Sequence, residues 1–164
     1  DELLDQVYAL RRKFTSYASY ADATIADVFS QDELRDAKHL QADHLETMMF
    51  ENRNGVFQPR TMPLLSQISP VYKIVVEDVN KDHFPDLVLL GNNEYPRLKT
   101  GKMDANFGTV LLNDGKGDFH IAGYDESGLF VPGDVKDASI IHANGAKYLL
   151  VGINNAVLLT FKLN

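Results

Sequence analysis

The second half of the chain repeats itself at an interval of 62 residues. The segment "FENRNGVF" (50–57) resembles "LNDGKGDF" (112–119), so that Gly55 matches Gly117. The segment "DLVLLGNN" (86–93) resembles "YLLVGINN" (148–155), so that Asn92 matches Asn154 at the same interval. Matches at one fixed interval are typical of folds that place copies of a single structural unit side by side, and they predict such a fold here.

Each unit is predicted to contain four antiparallel strands. Short runs of β-branched and aliphatic residues alternate with Asn, Asp and Gly clusters, as in strands joined by hairpin turns. The nine predicted strands are "LETMMFE", "VFQPRTM", "YKIVVED", "DLVLLG", "TVLLN", "DFHIAGY", "KDASIIHA", "KYLLVGI" and "VLLTFKL". The connections leave no room for crossover helices, which favours antiparallel pairing. Four antiparallel strands per unit are typical of a β-propeller blade, so we predict a mainly β fold of such blades.

Residues 1–47 have a helical pattern and are predicted to be a helical insertion that precedes the blades of residues 48–164. One apolar stripe recurs at helical spacing, at Leu3, Val7, Leu10 and Phe14. The segment "ATIADVF" predicts a second helix, and a capping box from Ser30 to Glu33 predicts a third that continues to Leu40. The repeat places this segment between the second and third strands of a blade. We therefore expect about half a blade, one full blade and three strands of another, which form the C-terminal part of a larger propeller.

The loop "DVNKDHFPD" gathers side-chain oxygens between two predicted strands. Asp78, Asn80, Asp82 and Asp86 supply carboxylate and amide oxygens, and the backbone carbonyl of Phe84 can add another. A flexible loop rich in oxygen ligands favours Ca²⁺ over Mg²⁺. The alternative is a solvated acidic turn that binds no ion. We predict a structural calcium site, because the loop surrounds the ion and leaves little open coordination.

The segments "SPVYKIVVEDVNKDHFPDLVLLGNN", "GKMDANFGTVLLNDGKGDF" and "ESGLFVPGDVKD" resemble FG-GAP or VCBS-type propeller repeats, as in integrin α-chain propellers. The chain is similar to secreted bacterial proteins that combine such repeats with an ASPIC/UnbV region and resemble cartilage acidic protein. The helical "FTSYASYADATIADVFSQDEL" resembles an insert of Bacteroidetes members. The resemblance implies a calcium-binding protein outside the cytoplasm, at the cell surface, in the periplasm or secreted. The chain departs from the pattern at His83, where the sixth loop position is usually a glycine with positive φ.

The insert "EYPRLKTGKMDANFG" is the predicted contact surface for a ligand, because long loops on a rigid scaffold often carry function. The candidate ligand-binding residues are Asn92, Tyr95, Arg97, Lys102, Asp104 and Asn106. The alternative is that Asp104 and Asn106 only tie down the backbone of the loop. Five aromatic residues are predicted to pack between blades, namely Phe50, Phe57, Phe119, Phe130 and Phe161.

Composition excludes several classes of partner. The formal net charge is −7 and no basic stripe is visible, which argues against nucleic acid. No apolar run is long enough to span a bilayer. The chain has no cysteine, so thiolate metal sites and disulfides are excluded. None of the five histidines lies at a metal-binding spacing, and no catalytic motif is present.

We therefore expect a non-enzymatic segment that binds a protein or glycan ligand, as in adhesion. The alternative is part of an extracytoplasmic hydrolase whose catalytic residues lie partly on other blades, and a third possibility is a structural spacer without a ligand. The expected partners are the rest of the parent propeller or a second copy that pairs through open edge strands.

Overall fold

The structure is a computed structural model that describes residues 2–163. The chain separates into two compact units, Asp1–His44 and Leu45–Asn164. The first unit contains five short helices, which are α1 (Glu2–Gln6), α2 (Leu10–Lys13), α3 (Tyr17–Ala21), α4 (Ile25–Val28) and α5 (Gln31–Arg35). In the described part of the chain no helix is long and apolar enough to cross a membrane.

The helices are shorter than the sequence pattern predicted. The first predicted helix is interrupted after Gln6, because the hydrogen bonds of the next turn tighten to an i to i−3 pattern, as from Leu10 N to Val7 O at 3.0 Å. The capping box of α5 is confirmed, since Ser30 Oγ accepts from Glu33 N and the Glu33 carboxylate accepts from Ser30 N. Its predicted continuation to Leu40 is wrong. Leu40 is 76% exposed, so a longer helix would have no apolar contact to stabilise it.

The second unit is built from nine antiparallel strands, as predicted. They are β1 (Met48–Arg53), β2 (Val56–Thr61), β3 (Val71–Glu77), β4 (Asp86–Gly91), β5 (Thr109–Asn113), β6 (Phe119–Ala122), β7 (Val135–Ala143), β8 (Ala146–Ile153) and β9 (Leu159–Leu163). A 3₁₀ turn at Leu64–Ser66 precedes β3, and α6 (Tyr124–Ser127) follows β6. The strands form sheets of two, four and three strands, in the orders β1-β2, β3-β4-β5-β6 and β7-β8-β9. These sheet sizes agree with the strand count that the repeat predicts.

The four-stranded and three-stranded sheets share two local features of the backbone. The β3–β4 and β7–β8 ladders both shift register after the first pair of residues, between Val71 and Lys73 in one and between Val135 and Asp137 in the other. In both sheets the residue directly after the second strand donates its N–H to the carbonyl oxygen of the residue directly before the first strand. These bonds run from Asn92 N to Pro70 O (2.9 Å) and from Asn154 N to Asp134 O (2.8 Å). The four-stranded and three-stranded sheets thus share a bulge and a closing hydrogen bond, although the β3–β4 and β7–β8 loops differ in length.

The four-stranded sheet packs on both of its faces. Side chains alternate along β4, so Val88 and Leu90 pack toward the three-stranded sheet while Leu89 packs toward the hairpin. Leu90 and Leu111 are fully buried. Because complete burial of one such side chain contributes about 1.5–3 kcal/mol, these two interfaces hold the unit together.

Gly91 ends β4 at a close approach of two backbones. A Cβ atom at this position would lie 1.8 Å from Pro70 O, which accepts the closing hydrogen bond. We expect Gly91→Ala to lower the free energy of unfolding by about 3 kcal/mol or more, because backbone has to move to admit the methyl group. Urea denaturation measures the change. Gly152→Ala is the control, since its Cβ would lie 3.4 Å from Asp137 O, and a similar loss in both variants would contradict the prediction.

Candidate functional site

The candidate metal loop joins the ends of β3 and β4, where Glu77 pairs with Asp86. Two of its residues have left-handed backbone conformations, Lys81 with φ 64° and His83 with φ 73°. The positive φ at His83 is a left-handed backbone conformation, which glycine adopts without the steric cost that a histidine side chain has there.

Three of the four predicted side-chain ligands converge. The N–H of Asp82 donates to Asp78 Oδ1 and to Asn80 Oδ1, both at 3.1 Å, and Asn80 Nδ2 donates to Asp82 Oδ2 at 2.8 Å. The N–H of His83 donates to Asp78 Oδ2 at 3.0 Å. A carboxylate oxygen has two lone pairs, so an oxygen that accepts one hydrogen bond can still bind a cation. Asp78, Asn80 and Asp82 are thus linked to one another by hydrogen bonds, and their oxygen atoms keep lone pairs that these bonds do not use.

Asp86 has a different environment from the other three. Its carboxylate is fully buried, with Oδ2 accepting from Val79 N and Oδ1 accepting from Asn113 N, each at 2.9 Å. Asn113 also donates from Nδ2 to Pro85 O at 3.1 Å. Asp86 thus ties the base of the loop to β5, and only its remaining lone pairs are open to another partner.

Phe84 fixes the other end of the loop. Its N–H donates to Asp82 Oδ1 at 2.8 Å. Its ring covers Gly115 in the β5–β6 turn so closely that a Cβ there would lie 2.5 Å from the ring. The predicted backbone carbonyl ligand therefore belongs to a residue whose side chain is anchored on a neighbouring turn. Among residues 2–163 no three His, Cys, Asp or Glu side chains are grouped to hold a metal, and the converging set here is two carboxylates and an amide.

Hydrogen bonds lower the pKa of Asp82 below its ordinary value. The larger cause is the N–H of Phe84 and the second is the side chain of Asn80. A carboxyl group with a lowered pKa in the folded state contributes stability at neutral pH, and this contribution is lost as the pH falls through that pKa. The loop is thus arranged to keep Asp82 ionised.

We expect Asn80→Ala to raise the pKa of Asp82 part of the way back to its ordinary value. The hydrogen bond from the Asn80 side chain is removed, whereas the one from the N–H of Phe84 remains. An NMR titration of the carboxyl carbons measures this in metal-free protein. Asp114 is the internal control, since its pKa is lowered chiefly by the N–H of Lys116 and has no contribution from Asn80. An unchanged pKa at Asp82 would contradict the hydrogen bond from Asn80.

Two of the predicted ligand-binding residues are buried inside the protein. Asn92 is 0% exposed and has φ 86°. Its Oδ1 accepts from Ser69 Oγ (2.7 Å) and Asn106 N (2.9 Å), and its Nδ2 donates to Asn106 O (2.7 Å) and Gly133 O (2.9 Å). Asn106 is 3% exposed and its Oδ1 accepts from Gly108 N and Thr109 N. Asn106 therefore ties down the loop backbone, and Asn92 holds the loop to the start of β7.

The other four ligand-binding candidates are exposed. Asn93 and Met103 pair across the loop through two backbone hydrogen bonds of 2.8 and 3.0 Å, which close it into a stem. Tyr95 is 65% exposed. Arg97, Lys102 and Asp104 are exposed as well. The segment beyond this stem thus presents Tyr95, Arg97 and Lys102, and Asp104 lies just outside the stem, next to Met103.

An aromatic cluster at the other end of this loop was not predicted. The rings of Phe107 and Phe130 stack at 5.2 Å, and Tyr124 meets Phe130 edge-on at 5.8 Å. They line a cavity of about 630 Å³ together with Leu129 and Ile68. A backbone hydrogen bond from Val131 N to Phe107 O (2.8 Å) brings the two segments together. No local pattern signals this contact, because the two phenylalanines lie far apart in the sequence.

The five phenylalanines predicted to pack between blades divide into two groups. Phe119 and Phe161 pack against the two core clusters, as predicted. Phe50, Phe57 and Phe130 are 51%, 64% and 49% exposed, so for them the prediction is wrong for this chain. On the hairpin, Phe50 and Phe57 lie on the face opposite that of Met49, which packs against the four-stranded sheet.

Comparisons with protein-family models, with curated proteins and with solved structures gave no match to this chain.

Proposed function

We propose that this chain is a calcium-stabilised segment of a β-propeller that acts in binding or adhesion outside the cytoplasm. The proposal rests chiefly on one observation, the convergence of Asp78, Asn80 and Asp82 in a loop that joins two strands of a repeated unit. The four-stranded and three-stranded sheets share a bulge and a closing hydrogen bond, which supports their assignment as blades.

In this proposal the metal is structural. Asp78, Asn80 and Asp82 would hold Ca²⁺ through side-chain oxygens and Phe84 through its carbonyl, with Asp86 bracing the base of the loop. When bound, the ion supplies positive charge between carboxylates that otherwise repel each other. Loops with few carboxylates bind calcium weakly, as extracellular modules do at about 10⁻⁴–10⁻³ M, which supports a location outside the cytoplasm.

The loop after β4 is the proposed contact surface for a protein or glycan. Tyr95 offers an exposed aromatic face, and Arg97, Lys102 and Asp104 offer charges of both signs. The stem between Asn93 and Met103 limits the conformational freedom that a ligand would have to remove.

Glycan and protein arrays probed with the labelled chain in Ca²⁺ and in EDTA test this function. We expect a ligand whose signal falls at least fivefold with Tyr95→Ala, since a central aromatic side chain often dominates binding energy. Val157→Ala is a matched control because Val157 is also exposed, at 74%, and lies outside the loop. No ligand on either array would favour a structural spacer, and an equal loss in both variants would remove the loop from the contact surface.

A further inference from the structure

Two hairpins of the second unit turn on the same dipeptide. The chain contains two Asn-Gly pairs, Asn54 with Gly55 between β1 and β2 and Asn144 with Gly145 between β7 and β8. All four residues are exposed and have positive φ, of 53° and 51° at the asparagines and 87° and 74° at the glycines. Each pair is a complete two-residue turn between antiparallel strands. The two turns therefore match in sequence and in backbone conformation.

The two turns differ in one hydrogen bond. The N–H of Gly55 donates to Asn52 Oδ1 at 2.8 Å. Among residues 2–163 the N–H of Gly145 has no hydrogen-bond partner. The sequence explains the difference, because the residue two positions before the asparagine is Asn52 in the first hairpin and His142 in the second. Only the first hairpin has a side-chain carbonyl oxygen at this position to accept the N–H of the glycine.

We propose that Asn144 is a site of spontaneous deamidation, which converts it to aspartate or isoaspartate, and that Asn52 protects Asn54 from the same reaction. The reagent is water, and no enzyme or cofactor takes part. A glycine after the asparagine favours the reaction, because no Cβ atom hinders the approach of its backbone nitrogen to the side-chain amide. The inference goes beyond the proposed function and does not depend on the metal loop.

The reaction joins the two residues of the turn through a succinimide ring. The backbone nitrogen of Gly145 loses its proton to solvent and forms a bond to Cγ of Asn144, while the bond from Cγ to the side-chain nitrogen breaks. That nitrogen takes up a proton and leaves as ammonia. Water then opens the ring at either of its carbonyl carbons and returns a proton to the backbone nitrogen. Each conversion thus consumes one water and releases one ammonia, with no change in oxidation state.

The hydrogen bond at Gly55 opposes the first step of this reaction. Asn52 Oδ1 holds the proton that has to leave and fixes the nitrogen that has to move to Cγ of Asn54. The bond must therefore break before the ring can close. At Gly145 no such bond has to break. The net strength of one hydrogen bond corresponds to a difference in rate of about fivefold.

Conversion changes the tip of the β7–β8 hairpin and leaves its sheet in place. Both products add a negative charge to the turn. Isoaspartate also lengthens the backbone by one atom between Ala143 and Ala146, which pair directly across the turn, so this end of the ladder is disturbed. β8 remains paired with β9 along its other edge. The modification therefore alters the exposed end of the third sheet without unfolding it.

Peptide mass spectrometry after incubation in isotope-labelled water tests the proposal, because the label enters at each converted asparagine. The folded 164-residue chain is compared with the same chain unfolded in guanidinium chloride and with the folded variants Asn52→Ala and His142→Asn. Circular dichroism confirms that both variants are folded. In the folded parent chain, we expect Asn144 to convert about fivefold faster than Asn54. In the unfolded chain the two rates should be equal, because a glycine follows both asparagines.

The two variants exchange the protection between the hairpins. We expect Asn52→Ala to raise the rate at Asn54 to that at Asn144, and His142→Asn to slow Asn144 about fivefold. Equal rates in the folded parent chain would overturn the proposal. A difference that persists in guanidinium chloride would also overturn it, since the flanking sequence and not the fold would then be the cause. The same holds if neither variant changes a rate. Calcium and ligand binding are not measured here, so these outcomes are separate from those that test the proposed function.

Discussion

On the proposed function, calcium at 100 times its dissociation constant is expected to stabilise the folded chain by about 2.7 kcal/mol, because the proposed site exists in the folded loop and not in the unfolded chain. For a chain of this size, that stabilisation raises the melting temperature by roughly 5–10 °C. Scanning calorimetry in Ca²⁺ and in EDTA measures the shift. Mg²⁺ at the same concentration should have a smaller effect, since it demands a tighter octahedral set of ligands than a flexible loop supplies.

The variant Asp82→Ala should abolish the calcium-dependent shift. Asp82 is one of the two carboxylates that converge in the loop, and the other, Asp78, accepts its backbone N–H. The loss of the side chain also frees the N–H of Phe84, so a small decrease in stability without calcium is expected as well. The decisive measurement is therefore, for each variant, the difference between its melting temperatures in Ca²⁺ and in EDTA, and not either melting temperature alone.

Asp104→Ala is the matched control for this experiment. Asp104 is an exposed carboxylate of the same unit, but it lies outside the metal loop. Its removal changes the net charge by the same amount as the removal of Asp82, so any general electrostatic effect of calcium is affected equally. If the calcium shift persists in Asp82→Ala, or disappears in both variants, the ion binds elsewhere and the assigned loop is wrong.

The strands could be predicted from sequence because their signals are local. The bounds of β4 and β5 agree with the predicted segments "DLVLLG" and "TVLLN" at every residue. In both, a polar residue begins the strand and a short apolar run follows it. The two-residue turn at Asn144 and Gly145, both with positive φ, likewise follows from the conformations that these two residue types tolerate.

The roles of the polar residues could not be predicted, because they depend on which distant segments meet. Asp86 and Asn92 are the same residue types as Asp82 and Asn80. Yet Asp86 and Asn92 are fully buried, whereas Asp82 and Asn80 are exposed. Burial of Asp86 requires β5 to place the N–H of Asn113 beside it. The best available signal for Asn92 was its place in the repeat directly after a strand, where a positive φ favours asparagine.

Substitution of Asn92 by aspartate is expected to destabilise the protein by about 3–5 kcal/mol at neutral pH, because it leaves a buried charge without a partner. The side chain keeps its shape and its acceptor Oδ1, which still accepts from Ser69 Oγ and Asn106 N. The donor Nδ2, however, is replaced by an oxygen that faces the carbonyl oxygens of Asn106 and Gly133 at 2.7 and 2.9 Å. The new carboxylate oxygen then lies beside two carbonyl oxygens, which in the parent chain are linked by the amide donor.

The loss should depend on pH in the direction opposite to ordinary acid denaturation. Burial and the two carbonyl oxygens disfavour the charged form, so the pKa of the new carboxyl group rises in the folded state above its value in the unfolded chain. The folded variant then binds more protons than the unfolded one in the window between these two pKa values, and its stability falls as pH rises through that window. At low pH the protonated carboxyl group can donate to one of the carbonyls and recover part of the loss.

Urea denaturation at about pH 7 and about pH 5 tests both statements, with each variant compared with the parent chain at the same pH. Asn155→Asp is the control, because Asn155 also has a positive φ, of 54°, but has an exposed side chain. The control variant should stay within about 0.5 kcal/mol of the parent, as exposed substitutions usually do. An equal loss in both variants, or a loss in Asn92→Asp that does not shrink at the lower pH, would show that the asparagine is not the buried link between the loop and β7.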